Sequence, residues 1–174
     1  MTNRKWISRA AGLLLAIAVV IYFVNPLGVP SLDPRGRIAG MIPYTVTTES
    51  MTPAFPNGTS VVACTAKRAR THPEAGDVVV FRAPGMGDAI IIQRVVGVAG
   101  DTVGVVAGNI EVNGVASAWA TGEVGDTANA PPIELVVPEG HVYVAGDNPG
   151  RSRDSRYFGP LPTRAIVGRV CWRP

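Results

Sequence analysis

The chain has little charge, few aromatic rings and almost no cysteine or histidine. Charged residues make up 17 % of its 174 positions and aromatic residues 6 %, and it holds two cysteines and two histidines. Its only lysines are Lys5 and Lys67. Each shortage excludes something. Cys64 and Cys171 lie far apart and no CxxC is present, so neither a zinc ribbon nor a dithiol redox motif is available. In an oxidising compartment the two could pair; equally, each could pack alone as a small buried hydrophobe. Metal-ligand residue types are too few and too scattered to imply a metal, and no organic cofactor is implied. There is no basic face either. Arg4, Lys5 and Arg9 precede every acidic residue, and from Ser31 onward thirteen basic residues balance thirteen acidic ones. Excess charge confined to one end is a membrane-topology signal, not the footprint of a nucleic-acid-binding protein.

Long apolar runs are absent except at the start. Ala10 to Val24 is unbroken and carries Leu13, Leu14, Leu15, Ile17, Val19, Val20, Ile21, Tyr22 and Phe23. At 1.5 Å per residue this run spans about 22 Å, short of the roughly 30 Å of hydrocarbon in a bilayer. Extension through Leu27 and Val29 closes most of the gap. No small-residue cleavage site follows, as a removable leader would need, and there is no polar face for a core helix. The expectation is a signal anchor over residues 10–29, with Trp6 and Tyr22 at the two interfaces. Residues 1–9 would then be cytoplasmic and everything after Ser31 extracytoplasmic.

Beyond a linker over residues 30–42, no long helical period occurs. Short Val- and Ile-rich runs recur instead, punctuated by Pro and Gly: Tyr44–Thr48, Ser60–Ala63, Asp77–Phe81, Ile90–Val98, Thr102–Val106, Asn109–Val112, His141–Ala145 and Ala165–Trp172. The pattern predicts one all-β domain over residues 43–174. Asn109–Asn113 followed by Gly114 reads as half of a hairpin, Gly122–Pro132 as an exposed loop, and Asn57-Gly58-Thr59 as a turn.

Four segments concentrate chemistry. Thr47-Thr48-Glu49-Ser50-Met51-Thr52-Pro53 places a serine where a turn can present its hydroxyl as a nucleophile. Gly76-Asp77-Val78-Val79-Val80-Phe81 and Gln93-Arg94-Val95-Val96-Gly97-Val98-Ala99-Gly100-Asp101 are strands joined to Gly-rich turns. In the fourth, Gly146-Asp147-Asn148-Pro149-Gly150-Arg151-Ser152-Arg153-Asp154-Ser155-Arg156, Asp, Ser and Arg alternate too densely for a loop that merely confers solubility. Taken singly, the first three are common in β proteins. Taken in order over nearly the whole chain, Ser-Met-x-Pro, Gly-Asp-Val-Val-x-Phe, x-Arg-Val-Val-Gly-x-x-Gly-Asp and Gly-Asp-Asn…Ser-x-Asp-Ser-Arg resemble the type I signal peptidase family. The basic N-terminus and single anchor match as well.

The resemblance implies a β-sheet or barrel catalytic domain behind one N-terminal transmembrane helix, in the plasma (inner) membrane. It implies a serine endopeptidase that removes signal peptides from secreted preproteins carrying small residues at −1 and −3. The family's chemistry is a Ser-Lys dyad. Ser50 matches the nucleophile and Met51 the residue after it. Thr48 matches the hydroxyl that completes the oxyanion hole with the Ser50 N–H. Ser152 matches the residue that orients the base, and Asp147, Asp154 and Arg156 the bracing network; Asp101 is expected to be structural. The departure falls at the residue before Arg94, where the family carries lysine, or histidine in its endoplasmic-reticulum-type members. Here it is Gln93, which has no titratable nitrogen. Lys67, His72 and His141 are the only other candidates for a base. Two further readings follow. The chain could be a pseudopeptidase that binds exported or pilin-like chains without cutting them. Alternatively, the short insert between the third and fourth motifs, resembling the compact peptidases of conjugative-transfer systems, points to pilin precursors.

Overall fold

The computed structural model describes residues 2–26, 34–87, 89–119 and 133–173. It opens with helix α1, Thr2–Val24, and a short π-helical turn, Arg35–Ala39, precedes the β domain. Helix α1 stops where Asn25 takes a positive φ of 50° ahead of Pro26. Proline disfavours helical geometry in the residue before it and cannot extend the helix. Among the described residues eleven strands follow, β1 (Met41–Thr45), β2 (Ser60–Cys64), β3 (Val78–Arg82), β4 (Ile90–Val98), β5 (Thr102–Val106), β6 (Asn109–Val112), β7 (Val115–Ala116), β8 (Ile133–Val136), β9 (His141–Ala145), β10 (Leu161–Pro162) and β11 (Ile166–Trp172). Two short helices interrupt them: α2, Lys67–Thr71, and α3, Ser155–Phe158.

The strands form a seven-stranded sheet in the order β1-β2-β11-β3-β4-β9-β10 and a four-stranded sheet in the order β7-β6-β5-β8. The larger sheet curls. Tyr44 in β1 donates its hydroxyl to the Ile90 carbonyl at the start of β4, 3.0 Å away, although three strands separate them in the sheet. Strand β3 is buried along Val78–Phe81, which explains its unbroken apolar run: one face packs with Val46, Met51, Phe55 and Ile92, the other with Val95, Val144 and Leu161. The smaller sheet packs its Val103, Val105 and Ile110 against Val96 and Tyr143 of the larger. A methyl group at Gly97 would sit 2.9 Å from Val103 Cγ2, so the sheets can approach there only over a glycine. Asp101 is structural, accepting from Val98 N at 2.8 Å and from Asn113 Nδ2 at 2.8 Å.

The expected all-β architecture is present, with local differences. Strand β1 begins at Met41 and ends at Thr45, three residues earlier than expected. Val46 leaves the sheet because its N–H turns to Thr59 O and its carbonyl to Gly58 N, closing a loop of its own. The hairpin foreseen at Asn113-Gly114 forms between β6 and β7, with both residues at positive φ. Strands β7, β8 and β10 and the short helices went unread, being two to five residues long. The loop expected at Gly122–Pro132 lies outside the described residues.

The two cysteines pair. Cys64 closes β2 and Cys171 lies in the adjoining β11, so the disulfide fastens the last strand to the second across 107 residues of sequence. A cross-link over so long a loop removes much of the unfolded chain's freedom, stabilising the fold by about 3–5 kcal/mol. Urea unfolding of the oxidised chain and of a Cys64→Ser, Cys171→Ser variant should differ by roughly that amount.

Candidate active site

The nucleophile candidate lies between two anchors. Met51, fully buried, and Phe55 plug the first core cluster, and Phe55 N–H bonds Met51 O at 2.7 Å, so the turn after Ser50 cannot shift without opening the core. From the other side, Asn148 N–H donates to the Ser50 carbonyl at 2.9 Å, tying the turn to the loop after β9. Ser50 is 7 % exposed. Its hydroxyl lies 2.9 Å from Thr48 Oγ1, so the two hydroxyls share one hydrogen bond. Beside them, outside the buried cluster, Glu49 pairs with Arg151.

The loop after β9 is organised by one carboxylate. Asp154, fully buried, accepts from Ser152 Oγ at 2.6 Å, Gly146 N at 3.1 Å and Arg156 N at 3.2 Å, and forms a two-pronged pair with the Arg156 guanidinium at 2.8 Å on each arm. Arg156 also donates to the carbonyls of Gly108 and Pro149. Burial alone would lower the Arg156 pKa. The hydrogen bonds and charge of Asp154 outweigh burial and raise it, so the guanidinium stays charged. Because a carboxylate only accepts, the Ser152 proton is committed to Asp154, and Ser152 Oγ is left as an acceptor.

Gln93 fills that acceptor. Its Nε2 donates to Ser152 Oγ at 3.2 Å and to the Arg153 carbonyl at 3.0 Å. The residue is 1 % exposed, and Gln93 Oε1 is the one buried side-chain N or O atom among the described residues with no partner. Such an orphaned acceptor costs about 1–3 kcal/mol. The position thus uses both donors of the amide and leaves its oxygen without a partner. Gly146 brings the two halves together. A methyl group there would run into both Ser152 Oγ and the Ser50 carbonyl, so only glycine lets the Ser152–Gln93 group approach the Ser50 turn.

Of the residues singled out from sequence, Thr48, Ser50, Gln93, Ser152, Asp154 and Arg156 gather in this cluster, and Met51 seats it. Arg94 points to the opposite face of β4. It pairs with Asp147 through two bonds of 2.8 and 2.7 Å, donates to Gly76 O at 2.9 Å, and lies over the Trp119 ring. Asp147 and Arg94 therefore brace the loop from behind. The alternative bases are elsewhere. His141 and His72 line a separate cavity with Glu139, and Lys67 lines another with Arg68. Sequence reading passed over the roles of Gly146, the Asn148 N–H, the Arg153 carbonyl and Trp119. Gly146 and Asn148 carried a signal, as the first and third residues of the fourth motif.

The arrangement joins the Ser50 and Thr48 hydroxyls by one hydrogen bond and sets the buried chain of Gln93, Ser152 and Asp154 against the Ser50 carbonyl across Gly146. No metal-binding group of three or more His, Cys, Asp or Glu occurs among the described residues. An Asp154→Asn substitution would leave the nearly inaccessible Arg156 side chain without its counter-charge, and a buried charge so stripped costs about 3–5 kcal/mol. Urea denaturation should register a loss of that size, against less than 1 kcal/mol for the exposed control Arg164→Gln.

A sequence model of the family described as "Signal peptidase, peptidase S26" matches residues 4–173. Signal peptidase IB of Staphylococcus aureus (strain COL) is 35 % identical over 175 residues, covering 91 % of this chain and 85 % of that protein. Mitochondrial ATP-independent inner membrane protease subunit 1b of Arabidopsis thaliana is 38 % identical over 125 residues, covering 71 % of this chain. Here the chain spans 64 % of the plant protein's length. It spans 37 % of a probable thylakoidal processing peptidase 2 from the same plant, at 35 % identity over 75 % of this chain. A solved signal peptidase I from Enterococcus faecalis V583 aligns with a TM-score of 0.46 and 27 % identity, covering 57 % of this chain and 97 % of that one. The chain belongs to the signal peptidase family, peptidase S26.

Proposed function

We propose that the chain is a membrane-anchored serine endopeptidase of the signal peptidase I type, acting on signal peptides of exported preproteins, with its proton acceptor replaced by Gln93. The observation that carries this reading is the cluster in which Ser50 and Thr48 share a hydrogen bond while Gln93, Ser152, Asp154 and Arg156 form one buried chain beside them. In this reading Ser50 Oγ attacks the scissile carbonyl. The Ser50 N–H and the Thr48 hydroxyl receive the oxyanion, each such donor being worth about 3–4 kcal/mol. The proton of Ser50 must leave as the bond forms. A buried lysine can take it because desolvation favours the neutral amine; an amide nitrogen has no lone pair to offer.

The membrane setting rests on α1. Trp6–Val24 has a mean hydropathy of 2.2 and spans about 28 Å at 1.5 Å per residue, close to the hydrocarbon thickness. Leu13, Leu14 and Leu15 are each exposed by 64 % or more, an arrangement that water penalises and lipid does not. The cations at Arg4, Lys5 and Arg9 support a cytoplasmic N-terminus, and the disulfide supports an oxidising, extracytoplasmic location for the β domain. Anchorage would hold the site at the depth where signal peptides emerge, raising their effective concentration.

Gln93 also favours a second reading, in which the natural chain binds exported or pilin-like precursors in the same cleft and releases them uncut. Cleavage of a signal-peptide substrate by the natural chain, Gln93→Lys and Gln93→Lys with Ser50→Ala separates the two. The expected result is a gain of about 10³-fold or more in Gln93→Lys, abolished by Ser50→Ala. Cleavage by the natural chain at the rate of Gln93→Lys would mean that another group serves as base.

A further inference from the structure

The far end of β11 is held differently from the rest of that strand. Its pairing with β3 runs from Ile166, opposite Phe81, to Arg169, opposite Val79, and stops there. Beyond Arg169 only β2 remains as a neighbour, through Val170 opposite Ala63 and Trp172 opposite Val62. The register shifts between those two pairs, which leaves Cys171 out of the ladder. An extra residue at such a shift disrupts the ladder and bends the strand. Packing does not make up the loss, since Trp172 is 57 % exposed. The disulfide to Cys64 thus does at this end what backbone pairing does along the rest of the strand.

What lies beyond the disulfide touches the turn that begins at Ser50. The Arg173 guanidinium lies 5.4 Å from the centre of the Phe55 ring and donates to the Ala54 carbonyl at 3.4 Å. Before the disulfide, Val170 packs against the core cluster that holds Met51 and Phe55. Within the turn, Phe55 N–H closes on Met51 O and Thr52 N–H on Glu49 O. A cation on an aromatic face and one hydrogen bond act only at short range, so both need the end of β11 in register. The bridge can also be reached. Cys171 is exposed and lines a cavity of about 370 Å³ together with Phe55, Trp172 and Arg173, whereas Cys64 is half-buried. Access helps decide which sulfur of a disulfide is attacked, and here it favours Cys171.

We infer that Cys64–Cys171 is a thiol–disulfide exchange site through which a dithiol sets the order of the Ser50 turn. One thiolate of the dithiol attacks Cys171 Sγ and forms a mixed disulfide, and the Cys64 sulfur leaves as a thiolate. The second thiol of the reagent then displaces Cys171. The reagent ends as a disulfide, and the protein gains two electrons and, with two protons, two thiols. The end of β11 is released, Arg173 leaves Phe55 and Ala54, and the turn loosens while the paired part of β11 stays in the sheet. Reoxidation restores the turn.

The test is hydrogen–deuterium exchange by mass spectrometry on the full-length natural chain in detergent micelles, oxidised and after millimolar dithiothreitol at neutral pH. Maleimide mass tagging counts the thiols released. Dithiothreitol should open the bridge without denaturant, and exchange over residues 50–55 should then quicken by about tenfold, the mark of a local opening. Over the same minutes Val78–Phe81 and Val142–Ala145 should stay protected in both states. A Cys64→Ser, Cys171→Ser variant should match the reduced chain, and oxidised Arg173→Gln should show the faster exchange at 50–55 with its disulfide intact. A bridge that resists dithiothreitol until the chain is denatured would overturn the exchange site. So would unchanged exchange at 50–55 in the reduced chain or in Arg173→Gln. Loss of protection in all strands together would make the bridge a staple of the whole fold, and the local switch would fail.

Discussion

The buried carboxylate of Asp154 is the constraint on which the rest of the site depends. An unpaired charge with no access to water would cost several kcal/mol, and the fold meets that cost by converging five donors on one group. Three of the donating groups do a second job. The Arg156 guanidinium clamps the carbonyls of Gly108 and Pro149, linking the smaller sheet to the loop after β9. The Gly146 N–H fixes the point where the loop leaves β9, and the Ser152 hydroxyl, with its proton committed, presents a lone pair to residue 93. The chain from Arg156 to Gln93 is therefore one polar unit whose orientation is set at its charged end.

Against that rigid unit the Ser50 turn is placed by packing. Met51 and Phe55 enter the core cluster between β2, β3 and β4, and the Asn148 N–H joins turn to loop. Curling of the larger sheet is what allows both to meet, since β1 returns toward β4 and carries residues 46–50 over its face. The disulfide strengthens the same closure by fastening β11 to β2. A single amide then separates the observed cluster from one able to move a proton. Gln93 keeps the donors that Ser152 and Arg153 require and adds an oxygen that nothing satisfies. In the function proposed, the residue that these groups surround lacks the basic nitrogen.

Much of this was legible in the sequence, for identifiable reasons. Alternating and continuous Val and Ile runs announce strands, so β2 to β6, β9 and β11 were placed to within a few residues. The site residues sit in short motifs whose order is informative even where each alone is not. The end of β1 was misplaced because backbone bonds between Val46 and the Gly58–Thr59 turn override the strand propensity of Val46 and Thr47. Strands of two to four residues, such as β7, β8 and β10, carry too few side chains to show a period. The pairing of Cys64 with Cys171 depends on β2 and β11 being neighbours, a fact of topology and not of spacing. His141, one of the three other candidates for a base, lines a different cavity because it begins β9 while the site lies beyond the other end of that strand.

In the function proposed, the serine site lacks only a proton acceptor at residue 93. The most direct measurement is intact-mass analysis after incubation with a serine-reactive fluorophosphonate at neutral pH, on the natural chain and on Gln93→Lys, with the adduct mapped to its residue. The expected result is one adduct per chain on Ser50 in Gln93→Lys and essentially none in the natural chain over the same time. Rapid labelling of Ser50 in the natural chain, at a rate that Gln93→Lys does not raise, would contradict it.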